Sequence, residues 1–193
     1  MLMNEATVSC DTTIFSNKAK LYWQYNCDRI WLTLENSKGQ KSVIDEIPVE
    51  LYGYTYRLGF HLIKEFDKTV LFRSGCPANG PCIYTLIDKN NGKKVKEFDQ
   101  LICIDTDIRR SNAHKYNFDF VVYLSDTTNN LIIYYVDKNK ILKVPFNENR
   151  TPQIQPKFND MVLHHNVLTL SYKLDNNTKK TLNINLNDKK YSR

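Results

Sequence analysis

Helical periodicity of any length is missing from this chain, and that absence limits its folds more than any other feature. In its place, short runs rich in Val, Ile, Tyr and Phe alternate with turn clusters built from Asn, Asp, Gly and Lys. Side chains branched at Cβ and aromatic side chains suit a pleated, half-buried surface. Asn, Asp and Gly supply the left-handed conformations and local side-chain hydrogen bonds of tight turns. The pattern predicts strands at "KLYWQYNC" (20–27), "RIWLTLEN" (29–36), "KSVIDEI" (41–47), "YTYRLGFHLIKEF" (54–66), "TVLFRS" (69–74), "CIYTLID" (82–88) and "KKVKEF" (93–98). It continues with "LICID" (101–105), "FDFVVYLS" (118–125), "LIIYYVD" (131–137), "KILKVPF" (140–146), "MVLHHNVLTLSYKL" (161–174) and "KKTLNINL" (179–186). Only "PVELYGY" and "DIRRSNAHKY" have room for a single helical turn.

A repeat runs through these segments. "WLTLENSKGQKSVI", "IYTLIDKNNGKKVKEF", "LIIYYVDKNKILKVPF" and "LTLSYKLDNNTKKTLNINL" each join a hydrophobic strand, through an Asn or Asp turn, to a Lys-rich strand. The turns recur at roughly 40 to 50 residues, the spacing of propeller blades. The expected fold is therefore all-β, with four antiparallel meander units in a propeller-like assembly; an irregular β-sandwich or barrel is the alternative. A chain of 193 residues is sized for one domain, taken here as 1–193 with an N-terminal extension at 1–19 and a basic tail at 187–193. Apolar runs such as "LIIYYV" fall far short of the roughly 20 residues a spanning helix needs.

The five cysteines are Cys10, Cys27, Cys76, Cys82 and Cys103. Cys76 and Cys82 flank the Pro- and Gly-containing tip between two expected strands. Residues facing one another there have Cα atoms about 4.5 to 5.5 Å apart, within reach of a disulfide. A five-residue spacer with no second Cys pair argues against a zinc knuckle, and redox C-x-x-C motifs are absent. Cys10 with Cys27 is a candidate second bridge, leaving Cys103 as a buried thiol. Bridged cysteines imply an oxidising compartment, so the expected location is the periplasm or cell envelope, with a signal segment removed.

Chemistry-bearing motifs are scarce. G-x-S-x-G, H-E-x-x-H, the phosphate-binding loop and G-x-G-x-x-G are all missing, so no catalytic residue, cofactor or metal is assigned. His164 and His165 are adjacent within an expected strand and would face opposite sides. His61 and Glu65 would share a strand face, but about 13 Å apart. The loop "DTDIRRSNAHKY" gathers Asp105, Asp107, Arg109, Arg110, His114 and Tyr116, a set suited to charge-assisted contact with another protein. Tyr52 and Tyr54 in "VELYGYTY" are the aromatics expected nearest the surface. The net charge of +6 is spread over turns such as "DKNNGKKVK", which reads as a solvated basic surface and not as a nucleic-acid-binding block.

The stretch "YWQYNCDRIWLTLENSKG" together with the blade-like repeats across 20–186 resembles β-propeller-like immunity proteins, which neutralise secreted antibacterial effectors. That resemblance implies a non-enzymatic, protein-binding inhibitor of a bacterial envelope, whose partner would be an acidic effector enzyme. The alternative expectation is a carbohydrate-binding envelope protein using "YGYTY" and the two Trp.

Overall fold

The computed structural model describes residues 11–75, 82–98, 101–102, 118–125, 128–148 and 157–191. The all-β expectation holds: these residues form four antiparallel sheets, none closed into a barrel. The first holds β1 (Thr13–Ile14), β2 (Lys20–Tyr25), β3 (Arg29–Glu35) and β4 (Lys41–Pro48). The second holds β5 (His61–Glu65), β6 (Thr69–Ser74), β7 (Ile83–Asp88) and β8 (Lys94–Phe98). The third comprises β9 (Phe120–Leu124), β10 (Asn130–Tyr135) and β11 (Lys140–Pro145), and the fourth β12 (Phe158–His164), β13 (Val167–Lys173) and β14 (Lys179–Asn185). Each sheet is a meander, since its strands pair in chain order. The chain groups into two compact units, 1–99 with the first two sheets and 100–193 with the last two.

The four sequence repeats coincide with the last hairpin of each sheet: β3–β4, β7–β8, β10–β11 and β13–β14. The β3–β4 and β13–β14 turns share a mechanism. In β3–β4, Asn36 N–H donates to Gln40 O at 2.9 Å and Gly39 N–H to Asn36 O at 2.9 Å, with Gly39 at φ +80°. In β13–β14, Leu174 N–H donates to Thr178 O and Asn177 N–H to Leu174 O, both at 2.9 Å, with Asn177 at φ +62°. These are three-residue loops whose last residue must be left-handed. The β1–β2 hairpin uses the same geometry with Lys18 at φ +68°. Lacking Gly or Asn at that position, "SNKA" concealed β1 inside the presumed extension.

The Lys-rich strands that close each repeat are the outer strands β4, β8, β11 and β14. Lys41, Lys94, Lys140, Lys143, Lys179 and Lys180 point to solvent along them. Charge on an unpaired strand edge discourages pairing with another chain, so much of the basic excess has a structural reason. The inner strands carry the core. β13 alternates strictly, burying Leu168, Leu170 and Tyr172, while β6, β7, β9 and β10 are buried on both faces over most of their length. Strands of that kind read as continuous apolar runs instead of alternating ones.

Three expectations are corrected. The run 54–66 is not one strand: Val49–Tyr54 forms a 3-10 helix, Thr55–Leu58 forms a single α-turn (α1), and β5 begins only at His61. The run 161–174 breaks into β12 and β13, because His165 and Asn166 both take positive φ (+46° and +65°) and close a two-residue turn. Finally, Lys89 in "DKNNG" is not solvated but 0% exposed.

Lys89 links the two sheets of unit 1. Its ammonium donates to Glu65 Oε1 at 2.7 Å, Phe66 O at 2.9 Å and Ser16 Oγ at 3.2 Å, which uses all three of its protons. Ser16 in turn donates to Glu65 Oε1 through its N–H (2.8 Å) and Oγ (2.6 Å). Burial alone would raise the Glu65 pKa, but the bonds from Lys89 and Ser16 outweigh it and hold the carboxyl below the ordinary range. A second link joins the β7–β8 turn to the first sheet: Asn36 Nδ2 donates to Asn90 O at 2.6 Å and Ser42 Oγ to Asn91 O at 3.1 Å.

Candidate functional site

The connection between β4 and β5 is the described segment that most resembles a recognition surface. Pro48 turns the chain out of β4 in an extended conformation, and the helical turns that follow are too short to bury a full face. Tyr52 and Thr55 face inward: Tyr52 packs with Ile30 and Ile47, and Thr55 Oγ1 donates to Tyr52 O at 2.7 Å. Leu51, Tyr54, Tyr56 and Leu58 are left outside, 37%, 53%, 52% and 42% exposed. Tyr52 and Tyr54, paired by the sequence as surface aromatics, therefore separate: Tyr54 is exposed and Tyr52 is core. The Tyr52 hydroxyl finds no hydrogen-bond partner among the described residues, and burial pushes its pKa up.

Both ends of this connection are fixed. A Cβ on Gly59 would lie 2.8 Å from Thr55 O and 3.0 Å from Ile47 Cδ1, so glycine permits the chain to pass close beneath α1. Beyond it, Phe60 N–H donates to the Asp45 carboxylate at 2.8 Å. Burial raises the Asp45 pKa against the opposing effect of its backbone hydrogen bonds. The exposed side chains thus project from an anchored backbone. Trp23 and Trp31, by contrast, are only partly exposed. Trp31 Nε1 donates to Gln24 Oε1 at 3.2 Å, and the Arg29 guanidinium lies 5.8 Å from the Trp31 ring centre.

Unit 2 contains a cleft of about 250 Å³ lined by Phe146, Glu148, Lys157, Tyr172, Leu174 and Asp175, among others. Tyr172 Oη donates to Glu148 Oε1 at 2.9 Å, and Lys180 Nζ donates to the same oxygen at 2.7 Å. The Lys180 bond is the main cause of a lowered Glu148 pKa, with Tyr172 adding to it. Tyr172 is pushed up to about 12, chiefly by burial and then by its bond to Glu148. The tyrosine thus keeps its proton and the carboxylate keeps its charge at neutral pH, each committed to the other. Lys157 pairs with Asp175 across the same cleft. This arrangement braces the cleft wall.

The remaining expected site residues fall as follows. Asp105, Asp107, Arg109, Arg110, His114 and Tyr116 lie outside the described residues, as do Cys10, Cys76 and Cys103. The Cys10–Cys27 bridge is overturned, because Cys27 is a free, exposed thiol. It occupies the two-residue β2–β3 turn, where Asn26 N–H bonds to Arg29 O at 3.0 Å and the intervening side chains point to solvent. No disulfide joins two described residues; Cys82 is described, whereas its expected partner Cys76 lies outside the described residues. His164 and His165, expected on opposite strand faces, are instead brought together by their turn, with Nδ1 atoms 3.0 Å apart. Two adjacent histidines before an Asn were the only sequence signal of that turn. Among the described residues there is no group of three or more His, Cys, Asp or Glu able to hold a metal, and no helix long and apolar enough to cross a membrane.

The chain matches no protein-family model and no curated protein sequence.

Proposed function

We propose that this protein is a non-enzymatic binding protein that neutralises an effector enzyme in a bacterial envelope, and that the β4–β5 connection is part of its contact surface. The supporting observation is the set of four large apolar side chains, Leu51, Tyr54, Tyr56 and Leu58, exposed on a backbone anchored at Gly59 and Asp45. Aromatic side chains on a rigid element lose little conformational entropy on binding, and they dominate protein interfaces. The net charge of +6 favours an acidic partner through faster encounter. Because exposed lysines also protect sheet edges, that charge supports the reading less strongly than the aromatic segment does.

Calorimetry of the purified protein with the product of a neighbouring toxin-like gene tests the proposal. Binding tighter than micromolar is expected, weakened at least about 30-fold by Tyr54→Ala with Tyr56→Ala, the loss typical of a hot spot worth about 2 kcal/mol. An unchanged affinity in the double variant removes the segment from the interface, and absence of binding removes the neutralising role. A saturable glycan-array signal lost on Tyr54→Ala would replace the proposal with the carbohydrate-binding reading.

A further inference from the structure

The β12–β13 turn holds two imidazoles in a geometry the sequence did not suggest. Positive φ at His165 (+46°) and Asn166 (+65°) reverses the chain within two residues, and Leu186 N–H bonds to Asn166 O at 2.9 Å, tying the turn to the end of β14. The His164 and His165 rings stand edge to face with centres 3.9 Å apart, and their Nδ1 atoms are separated by 3.0 Å. Both residues are exposed. At that separation one Nδ1 must carry a proton and the other accept it.

The same separation has a second meaning. Two imidazole nitrogens bound to one metal at about 2.0 to 2.1 Å, in neighbouring positions at right angles, lie about 2.9 Å apart, whereas a tetrahedral angle would require about 3.3 Å. We propose that His164 and His165 form a two-imidazole chelate for a divalent first-row transition metal of tetragonal preference, Cu(II) above all. Binding replaces the Nδ1–H···Nδ1 hydrogen bond with two Nδ1–metal bonds; the donor ring shifts its proton from Nδ1 to Nε2 through solvent, so both rings coordinate as neutral imidazoles and no net proton is released. Small rotations about the Cβ–Cγ bonds of these exposed rings aim both lone pairs at the ion. The turn fixes the backbone beneath them, so the chelate is formed with little ordering of the main chain. With two protein ligands, the other coordination positions stay open to water or to a donor atom from a bound partner.

The test is titration of the full chain with Cu(II) in a non-coordinating buffer, followed by electron paramagnetic resonance and by the ring-proton NMR signals of the histidines. The expected result is one ion per chain, superhyperfine structure from two equivalent nitrogens, and broadening confined first to His164 and His165. His164→Ala and His165→Ala should each weaken binding by about tenfold or more, since either change destroys the chelate. Asn166→Gly, which retains the turn, should leave affinity within about twofold. The proposal is overturned if the His164→Ala/His165→Ala double variant binds Cu(II) as the parent does, or if the parent spectrum shows one nitrogen ligand. Single substitutions that each cost less than about twofold would also overturn it, because they would indicate two independent imidazoles.

Discussion

Replacing Lys89 by methionine removes the charged centre of unit 1 while nearly preserving side-chain length. Three hydrogen bonds go with it, to Glu65 Oε1, Phe66 O and Ser16 Oγ. Hydrogen bonds from a charged donor contribute about 1.5 to 3 kcal/mol each, and a buried carbonyl left without a partner costs about 1 to 3 kcal/mol. Two effects offset these losses: the ammonium no longer has to be desolvated, and Glu65 is not stranded. Its side chain is 32% exposed and still accepts two bonds from Ser16. The net expectation is about 2 to 4 kcal/mol, at or somewhat below the roughly 3 to 5 kcal/mol for breaking a fully buried pair. Glu65→Gln should be at least as costly, since it leaves an ammonium with 0% exposure and no counter-charge. The double variant Lys89→Met/Glu65→Gln should then be no less stable than Glu65→Gln alone. Urea unfolding followed by tryptophan fluorescence measures all three, because Trp23 and Trp31 both lie in unit 1 and are the only two Trp in the chain. The midpoint should fall with little change in slope. A loss below about 1 kcal/mol for Lys89→Met, or strict additivity of the two substitutions, would refute the assignment of Lys89 as the link between the sheets.

Other outcomes follow from the same geometry. Glu65 has a lowered pKa in the folded state, so its contribution to stability is complete above the unfolded value of about 4.3 and is lost as pH falls through the lower folded value. Asp45 works in the opposite sense: its pKa is raised, so its cost accrues as pH climbs above about 3.9. Stability-versus-pH curves of the parent and Glu65→Gln should therefore converge under acid and separate toward neutrality, and parallel curves would contradict this. Gly92→Ala should destabilise by about 2 to 4 kcal/mol, because φ is +69° and the new Cβ would come 2.4 Å from Ser42 Cβ on β4. Gly39→Ala, at φ +80° with nothing within 4 Å, should cost only the backbone term of about 1 to 2 kcal/mol. Equal midpoints for the two variants in thermal unfolding would show that the β7–β8 turn does not dock on the first sheet as described.

Strand content, the meander order and the position of each repeat's turn were legible from the sequence, because all three depend on interactions within a few residues. A β-branched run followed by "ENSKG" or "LDNNT" determines a hairpin almost regardless of what surrounds it. What the sequence could not convey was anything requiring groups brought from far along the chain. Lys89 reads like any other turn lysine. It is buried only because Ser16, 73 residues away, and Glu65, 24 residues away, arrive at the same point. Tyr52 and Tyr54 are equivalent in sequence; Ile30 and Ile47 decide which of them enters the core. His164 and His165 looked like opposite faces of a strand until left-handed backbone at residues 165 and 166 turned both rings to one side. Local propensity determined the strands and their turns, whereas burial, charge pairing and side-chain direction were decided by which sheets pack together, a free energy distributed over residues far apart in sequence.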